Sequence, residues 1–515
     1  MPTIGSMLTV SAQRCPDRTA LVLASSRRTY RELDAEVNRA AHALHRLGLS
    51  KGDRFALMAG NSDWFVIAFY AAAKLGAIVV PINPRSAGPE LRYLLDDSGA
   101  SVLAFDATVS QVVTETVGDA SSPLLLALGH VEGHRSLADL AADEPDSTPE
   151  VLVDESDDAL ILYTSGTTGR PKGALFDHHR TIWVGISLTS LFGLTEADRL
   201  LHVAPLYHAA ELTMMLIPGT MVGATHVVLP GFEPTAVLDA LESERITGFF
   251  GVPTMYQMLL RQPDLADRDL SAWRTGIFGA APMPADAVGR LLDALPAVNL
   301  YQACGQTEGG PGGIYSRPHE VRAKPSASGR FSLLNTVVRV VDPENRDVPR
   351  GETGELILQG ETVMKGYWNK PRETADVLRE GWLHTGDLAR IDDDGYITLV
   401  DRMKDMIITG GRNVYSVEVE NALAGTPGVA DCAVVGRSDA VYGETIVAVV
   451  TPLPGCDITL DELREHAGKL VSDYKLPREL VIAEIPRNPS GKIMKHKLRD
   501  KLQHSATSSG PSQHP

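Results

Sequence analysis

Apolar residues recur at helical spacing near the start of the chain. From about Thr29 to Gly48 they fall three or four positions apart with polar residues between them, which predicts an amphipathic helix. Thr29 is followed three residues later by Glu32, and this pair has the form of a capping box, which favours a helix start there. The apolar positions of this helix are Leu33, Val37, Ala40, Ala41, Leu44 and Leu47.

Short apolar runs then alternate with helical patterns up to about residue 328. This alternation is typical of α/β layers with largely parallel sheets. The most apolar long stretch, 66–82, contains Lys74, Gly76 and Pro81, so it predicts a buried helix followed by a strand and not a membrane span. The predicted strands are 54–58, 77–82, 102–105, 159–163, 226–229 and 248–250.

The pattern changes after about residue 328. Short β runs at 337–341, 354–359 and 396–399 are separated by turn residues, which predicts a small antiparallel barrel or meander that closes the large domain. We therefore expect the large domain to span 1–401, with a boundary at 402–404.

The last hundred residues predict a second, smaller domain of α+β type at 405–503, long enough for its own core. Its elements are strands and helices at 406–408, 416–424, 430–435, 446–452 and 460–469. The end of the chain, 504–515, is rich in Ser, Gly and Pro and is expected to be disordered.

Composition limits the classes of function. A chain of 515 residues needs more than one core, and 43% hydrophobic with 22% charged residues is typical of globular proteins. The formal net charge of −17 argues against nucleic-acid binding. The four cysteines form no C-x-x-C pair, and the first residues lack the pattern of a signal peptide. These features predict a reduced, cytoplasmic protein without a structural zinc site or an integral membrane segment.

The segment 163–173 carries the strongest chemical signal. An apolar strand leads into a loop with three glycines, four hydroxyl side chains and Lys172. Glycines let backbone N–H groups approach an anion, and hydroxyls and an ammonium group add donors, so the loop is suited to bind phosphate. It does not fit the Walker A pattern. The residues predicted to contact phosphate are Thr164, Ser165, Gly166, Thr167, Thr168, Gly169 and Lys172.

With this loop and six further motifs in family order, the chain resembles the AMP-forming acyl-CoA synthetases (fatty-acid and aromatic-acid CoA ligases). They belong to the adenylate-forming superfamily, with peptide-synthetase adenylation domains and beetle luciferases. The resemblance spans about residues 8–502. It implies an α/β fold with a large AMP-binding N-terminal domain and a small β-barrel, a hinge, and a small mobile α+β C-terminal domain. It also implies ATP, Mg²⁺ and coenzyme A.

The resemblance assigns roles to residues at the nucleotide. Thr307 is expected at the phosphates, Glu308 at Mg²⁺, Asp387 at the ribose hydroxyls and Lys492 as the catalytic lysine on the small domain. The implied adenine shelf is Gly279, Ala280, Ala281 and Pro282; Arg402 is expected at the nucleotide, Lys404 at the hinge, and Gly410, Gly411 and Arg412 at coenzyme A.

The resemblance also places the acid pocket. His208 is expected to border and gate it, and Cys304 replaces the usual aromatic residue. Glu211 is unusual there, because a carboxylate beside an apolar pocket is costly unless paired. It either faces solvent or a helix partner, or recognises a polar or amino group of the acid. The expected pocket residues are Tyr207, His208, Glu211, Ala303, Cys304 and Gly309.

The implied reaction joins a carboxylate to AMP and then transfers the acyl group to a thiol, releasing AMP and pyrophosphate. The alternative is a stand-alone adenylate-forming enzyme that loads a carrier protein or activates a non-carboxylate such as nitrite. A catalytically inactive binding protein would be expected to lack Lys492, Glu308 or Asp387, and all three are present. The oligomeric state is left open.

Overall fold

The computed structural model describes residues 2–118, 123–164, 170–281, 283–487 and 493–507, with side chains to residue 502. The first sheet has eight strands, of which the inner ones pair in parallel and the two outermost, β14 and β2, pair antiparallel to their neighbours. In sheet order these are β14 (Gly313–Ser316), β13 (Asn299–Gly305), β12 (Thr275–Gly279), β11 (Gly248–Gly251), β9 (Arg199–His202), β10 (Thr225–Val228), β1 (Thr19–Leu23) and β2 (Ser26–Thr29).

The second sheet has seven strands and the same character. Five pair in parallel, and β8 and β17 extend the sheet in antiparallel pairing. In sheet order these are β17 (Gly366–Tyr367), β8 (Lys172–Asp177), β7 (Asp158–Thr164), β4 (Ile78–Ile82), β3 (Arg54–Met58), β5 (Val102–Phe105) and β6 (Leu124–Ala127). The predicted α/β layers with largely parallel sheets are confirmed, and the predicted strands 54–58 and 102–105 coincide with β3 and β5.

The third sheet is antiparallel and corresponds to the small barrel or meander predicted after residue 328. Its strands are β15 (Thr336–Val341), β16 (Thr353–Gly360), β19 (Trp382–Ile391), β18 (Leu378–Arg379) and β20 (Ile397–Arg402), with β18 and β20 both paired to β19. Its apolar side chains, among them Val340, Leu356 and Ile397, pack together with Ile314 of β14. The third sheet is therefore joined to the edge of the first.

The fourth sheet belongs to the C-terminal part of the chain and has apolar clusters of its own. Its strands are β22 (Arg412–Val414), β21 (Ile407–Thr409), β24 (Gly443–Pro452), β23 (Val429–Asp439) and β25 (Glu479–Ile482). The helices packed on its two faces contribute Val419 and Leu463 to one cluster and Leu498 to the other. This is the α+β texture predicted for the small domain.

The helices alternate with the strands as the sequence pattern predicts. Thr29 caps the second helix, its side chain accepts from Glu32 N, and the Glu32 side chain accepts from Thr29 N, so the predicted capping box is confirmed. The helices are α1 (Ile4–Arg14), α2 (Tyr30–Arg46), α3 (Asp63–Lys74), α4 (Gly88–Ser98), α5 (Ser110–Val117), α6 (Leu137–Ala141), α7 (His178–Phe192), α8 (Ala209–Glu211), α9 (Ile217–Val222), α10 (Pro234–Ser243), α11 (Pro253–Leu260), α12 (Ala285–Ala294), α13 (Pro318–Ala323), α14 (Pro371–Val377), α15 (Ser416–Ala424), α16 (Leu460–Ala467) and α17 (Lys495–Thr507).

Two segments differ from simple expectation. A π-helical turn, Leu212–Leu216, joins α8 to α9, and such turns often occur at functional sites. Helix α17 extends to Thr507, so the first four residues of the expected disordered tail are helical, and 508–515 lie outside the described residues. The apolar stretch 66–82 forms the buried helix α3 and strand β4, as predicted. Across the described ranges, no helix has the length and apolar character to cross a membrane.

Candidate active site

The phosphate-binding loop predicted from the sequence connects β7 to β8. Thr164, the last residue of β7, pairs with Lys172, the first residue of β8, so the two strand ends hold the loop at its base. Gly173 has no room for a side chain, since a Cβ there would lie 2.5 Å from Ile161 Cγ2. The predicted phosphate contacts Ser165, Gly166, Thr167, Thr168 and Gly169 fall outside the described residues.

The base of this loop is fixed by a cluster of polar side chains on its outer side. Tyr163 Oη donates to Asp97 Oδ2 at 2.8 Å, and Tyr93 Oη donates to the Pro171 carbonyl at 2.9 Å. Lys370 forms an ion pair with the same Asp97. The loop therefore begins and ends on a rigid support, which is what positioning a triphosphate requires.

Glu308 lies where the first and second sheets meet. It follows β13 in a short 3₁₀ turn, Thr307–Gly309, and its Oε1 accepts from Thr164 Oγ1 at 3.3 Å and from Tyr367 Oη at 2.9 Å. Lys172 Nζ lies 4.9 Å from the centre of the Tyr367 ring. The predicted phosphate lysine and the predicted Mg²⁺ carboxylate are thus brought to one place, as the sequence motifs imply.

The predicted adenine shelf follows β12 and is sterically tight. Gly279 pairs with Ala303 of β13, and a Cβ on Gly279 would lie 1.9 Å from the Ala303 carbonyl oxygen. Ala280 adopts a left-handed backbone conformation with φ of 64°, which costs energy for a residue with a side chain. Ala281 follows at the same turn, and Pro282 is outside the described residues. The strain at Ala280 is typical of a site-forming turn.

Asp387 and Arg402 face each other across β19 and β20. Arg402 Nε donates to Asp387 Oδ1 at 2.7 Å, and the Asp387 carboxylate raises the pKa of Arg402. The Met403 N–H donates to the Gly386 carbonyl at 2.9 Å, so the chain stays paired up to the residue before Lys404. The structure therefore brings together the two residues predicted at the ribose and the nucleotide.

Of the residues predicted for the acid pocket, Ala303 lies in an apolar cluster beside the predicted adenine shelf, and this cluster is the candidate pocket wall. Ala210, Met214 and Ala303 are buried in one cluster, and Ala280 and Tyr301 pack against it. His208 caps the start of α8. Tyr207 packs against a different core, and Gly309 is buried with its Cα facing Leu358. The wall is thus built from α8, the π-helical turn and β13.

Cys304 does not belong to that wall. Side chains alternate along a strand, and Ala303 pairs with Tyr315 of the pocket cluster, whereas Cys304 pairs with Ile314 and packs with the third sheet. Ala303 and Cys304 therefore point to opposite faces of β13. The predicted pocket set is divided by this strand, with Ala303 on the side of Ala210 and Met214.

Glu211 is completely buried, so of the alternatives left open by the sequence, the one in which it faces solvent is wrong. Its Oε1 lies 2.6 Å from His202 Nδ1, and His202 Nε2 lies 2.8 Å from His226 Nδ1. Burial raises the pKa of Glu211 well above its usual range and lowers the pKa of His202 to about 3. These pKa shifts indicate that Glu211 and His202 are both neutral and share the carboxyl proton in one hydrogen bond. Sequence reasoning missed His202 and His226, because only His226 lies in a predicted strand and the strand that carries His202 was not predicted.

The predicted coenzyme A turn lies in the fourth sheet. Gly410 and Gly411 both have positive φ, 57° and 73°, and they connect β21 to β22. The Arg412 guanidinium lies 4.9 Å from the centre of the Tyr474 ring. Lys492, the predicted catalytic lysine, lies outside the described residues.

Comparison with known proteins identifies the family of this chain. The family model described as "AMP-binding enzyme" matches residues 8–368, and the model described as "AMP-binding enzyme C-terminal domain" matches residues 418–492. The chain belongs to the AMP-binding enzyme family. The resemblance to AMP-forming acyl-CoA synthetases of the adenylate-forming superfamily, stated above from the motifs, is thereby confirmed.

Relatives of this AMP-binding enzyme include CoA ligases of different acids. A feruloyl-CoA synthase from Amycolatopsis is 41% identical over 497 residues, which cover 96% of this chain and 98% of the relative. A long-chain-fatty-acid–CoA ligase of Mycobacterium tuberculosis is 37% identical over 513 residues, covering 98% and 99% of the two chains. The crystal structure of an anthranilate CoA ligase in complex with anthranoyl-AMP matches with a TM-score of 0.90 at 28% identity, covering 98% of each chain.

Proposed function

We propose that this AMP-binding enzyme activates an aromatic carboxylic acid with ATP and transfers the acyl group to coenzyme A. The observation that supports it best is the convergence at Glu308. There, a hydroxyl from β7 and a phenol from β17 meet the carboxylate after β13, within hydrogen-bonding distance and beside the phosphate loop. Membership of the family supports the reaction type, and the contacts at Glu308 support the position of the reaction in the fold.

In the first half-reaction a carboxylate attacks the α-phosphorus of ATP, so cations and donors must offset the charge of both anions. We assign this role to Lys172, Thr307 and Lys492. We assign the ribose hydroxyls to Asp387, whose Oδ2 is left available by the Arg402 contact through Oδ1.

Glu308 fits a Mg²⁺ ion, because Mg²⁺ in nucleotide sites is commonly held by one or two carboxylates together with substrate phosphates and water. Thr164 and Tyr367 both donate to Oε1, which fixes the carboxylate and leaves Oε2 for the metal. Bound there, Mg²⁺ would neutralise phosphate charge. In the described parts of the chain there is no group of three or more His, Cys, Asp or Glu side chains that could hold a metal ion.

The preference for an aromatic acid is supported by the wall beside the adenine shelf. Ala210, Ala280 and Ala303 carry only methyl groups, and together with Met214 and the Tyr301 ring they form one apolar cluster beside the predicted adenine shelf. The relative named for ferulate supports the same class. A linear fatty acid is the second candidate, because a relative named for long-chain fatty acids matches nearly the whole chain.

The acceptor is coenzyme A in this proposal, and the turn at Gly410, Gly411 and Arg412 would contact it. An acyl carrier protein is the alternative acceptor. Lys404 would be the hinge about which the small domain changes its position between the half-reactions. We expect the enzyme to act in the cytoplasm.

The test is acid-dependent release of AMP and pyrophosphate from ATP and Mg²⁺. Hydroxycinnamic, benzoic and linear acids are compared with and without coenzyme A, and products are identified by mass. The proposal expects hydroxycinnamic or benzoic acids to give the highest kcat/KM and a coenzyme A thioester. Preference for linear acids would favour the fatty-acid alternative. Pyrophosphate release that coenzyme A does not stimulate would favour a carrier protein, and ADP release would overturn adenylation.

A further inference from the structure

Tyr367 lies between two opposite charges of the nucleotide site. Its hydroxyl donates to Glu308 Oε1 at 2.9 Å, and its ring centre lies 4.9 Å from Lys172 Nζ. No motif singled out this residue, which sits in a strand of two residues, β17. It is half-buried, so both contacts are partly shielded from water.

The backbone of Tyr367 is fixed by strand pairing and by a hydrogen bond to a side chain. It pairs with Ala174 of β8, two residues beyond Lys172, and its N–H donates to Thr374 Oγ1 at 2.9 Å. The next residue, Trp368, donates from its N–H to the Gly173 carbonyl at 2.7 Å. The position of the Tyr367 ring is therefore fixed relative to the strand that carries Lys172.

The same short segment also holds Glu308 from its other end. The Met364 N–H donates to the Glu308 carbonyl at 2.9 Å, while the Tyr367 hydroxyl holds the carboxylate. Main chain and side chain of Glu308 are both attached to this edge of the second sheet.

A lysine and a glutamate that both contact one side chain could attract each other and form an ion pair. Among the residues that the structure describes, no ion pair joins Lys172 to Glu308. Instead, the Lys172 ammonium group lies over the Tyr367 ring in a cation–π contact, and the Tyr367 hydroxyl donates to the Glu308 carboxylate. Both charges thus stay available for a substrate that brings phosphates and a cation.

We propose that Tyr367 is a positioning residue that keeps Lys172 and Glu308 apart and correctly placed for Mg²⁺ and the phosphates of ATP. The proposal rests on the proposed role of Glu308 at the metal. It attributes two separable effects to one side chain: the hydroxyl orients the metal carboxylate, and the ring holds the phosphate lysine.

Two variants separate these effects. Tyr367→Phe keeps the ring and loses the hydroxyl, so the Mg²⁺ concentration that half-saturates binding of the nucleotide should rise about tenfold, the effect of losing one hydrogen bond to a charged group. Tyr367→Leu also loses the ring, so Lys172 becomes free to pair with Glu308. Nucleotide affinity should then fall at saturating Mg²⁺ as well.

The measurement is calorimetric binding of the α,β-methylene analogue of ATP to the full-length protein over a series of Mg²⁺ concentrations. Tyr30→Phe is the matched control, since its buried hydroxyl donates to the Ala224 carbonyl at 2.6 Å, distant in sequence from every site residue. Its Mg²⁺ dependence should equal that of the wild type. Thermal melts confirm that each variant is folded.

A Glu308→Gln background completes the test. If the Tyr367 hydroxyl acts through the carboxylate, adding Tyr367→Phe to Glu308→Gln should change the Mg²⁺ dependence little. An unaltered Mg²⁺ dependence in Tyr367→Phe, or an equal effect in both backgrounds, overturns the proposal for Tyr367 alone. If the wild type binds no Mg²⁺ and nucleotide, the proposed function fails and this inference fails with it.

Discussion

The Nδ1 atom of His202 and the Oε1 atom of Glu211 lie 2.6 Å apart, and both side chains are entirely removed from solvent. His202 continues the contact to His226, and His226 Nε2 lies 3.0 Å from Thr220 Oγ1. This row of buried polar groups attaches α8 and α9, on either side of the π-helical turn, to strands β9 and β10. The proposed acid-pocket wall at Ala210 and Met214 is therefore carried by segments that these titratable groups hold in place.

The number of protons bound by Glu211, His202 and His226 in the folded and unfolded states determines how the free energy of unfolding depends on pH. In the folded protein Glu211 keeps its proton and the two histidines are neutral, because burial raises the pKa of Glu211 and lowers those of His202 and His226. Between about pH 4.5 and 6.5 the unfolded chain holds protons on both imidazoles, so stability rises with pH. Above about pH 6.5 the unfolded chain holds none and the folded protein still holds one, so stability falls as pH rises.

Glu211→Gln should remove the loss of stability that these groups cause above about pH 6.5. The amide N–H can donate to His202 Nδ1 as the protonated carboxyl does, but it does not titrate. From about pH 7 to 9, the stability of the variant relative to the wild type should increase by up to about 1.4 kcal/mol per pH unit. Urea unfolding at each pH measures this. Glu196→Gln, at an exposed position, is the control. Wild-type and Glu211→Gln curves that run parallel would contradict the assignment of the buried proton.

Gly279→Ala should destabilise the fold strongly. A Cβ at this position would lie 1.9 Å from the Ala303 carbonyl oxygen, which is main chain and cannot move aside cheaply. We expect a loss of about 1–3 kcal/mol in the free energy of unfolding, measured by denaturant titration, as for other overpacked interiors. Gly289→Ala, in helix α12 where a Cβ meets nothing within 4 Å, should instead be neutral or gain up to about 1 kcal/mol. Equal effects of the two variants would disprove the steric argument.

Lys404→Pro should separate the two half-reactions. If the small domain turns about Lys404, fixing its φ angle should preserve acid-dependent ATP–pyrophosphate exchange and abolish thioester formation from supplied acyl-adenylate and coenzyme A. Met403→Ala is the neighbouring control, because the Met403 contact to Gly386 is made by the main chain. Equal loss of both half-reactions would count against the hinge.

Lys492→Ala should have the opposite pattern. A lysine that stabilises the developing charge on the α-phosphate is needed only while the adenylate forms, so exchange should fall by at least about 100-fold. Thioester formation from supplied acyl-adenylate should remain near the wild-type rate. Lys497→Ala, exposed in helix α17, should affect neither step. Retention of exchange in Lys492→Ala would refute the catalytic assignment.

The sequence predicted what depends on local pattern. The capping box at Thr29 and the strands 54–58 and 102–105 all follow from residues within one element or turn. The approach of Asp387 to Arg402 was predictable because the two residues are fifteen positions apart, a separation that a single hairpin spans. In each case the information lies in a short window of the chain.

What the sequence did not reveal depends on distant residues. Tyr367 reaches Lys172 only because a strand of two residues pairs with β8, and two residues carry no periodicity. The contact between Glu211 and His202 combines burial with side-chain direction. The division of Ala303 from Cys304 depends on the register of β13 against β14. These relationships depend on tertiary packing, which the local pattern of a single sequence does not indicate.

Strand β13 connects the proposed acid-pocket wall to the proposed metal carboxylate by a fixed number of residues. Ala303 is part of the proposed wall, and five residues later Glu308 must lie beside Thr164 and Tyr367. Inserting or deleting one residue between them would exchange the two faces of the strand and displace the carboxylate at once. New acid preferences in this lineage should therefore arise by substitution at constant length. A library meant to change the substrate should vary side chains at Ala210, Met214 and Ala303 and leave the spacing to Glu308 untouched.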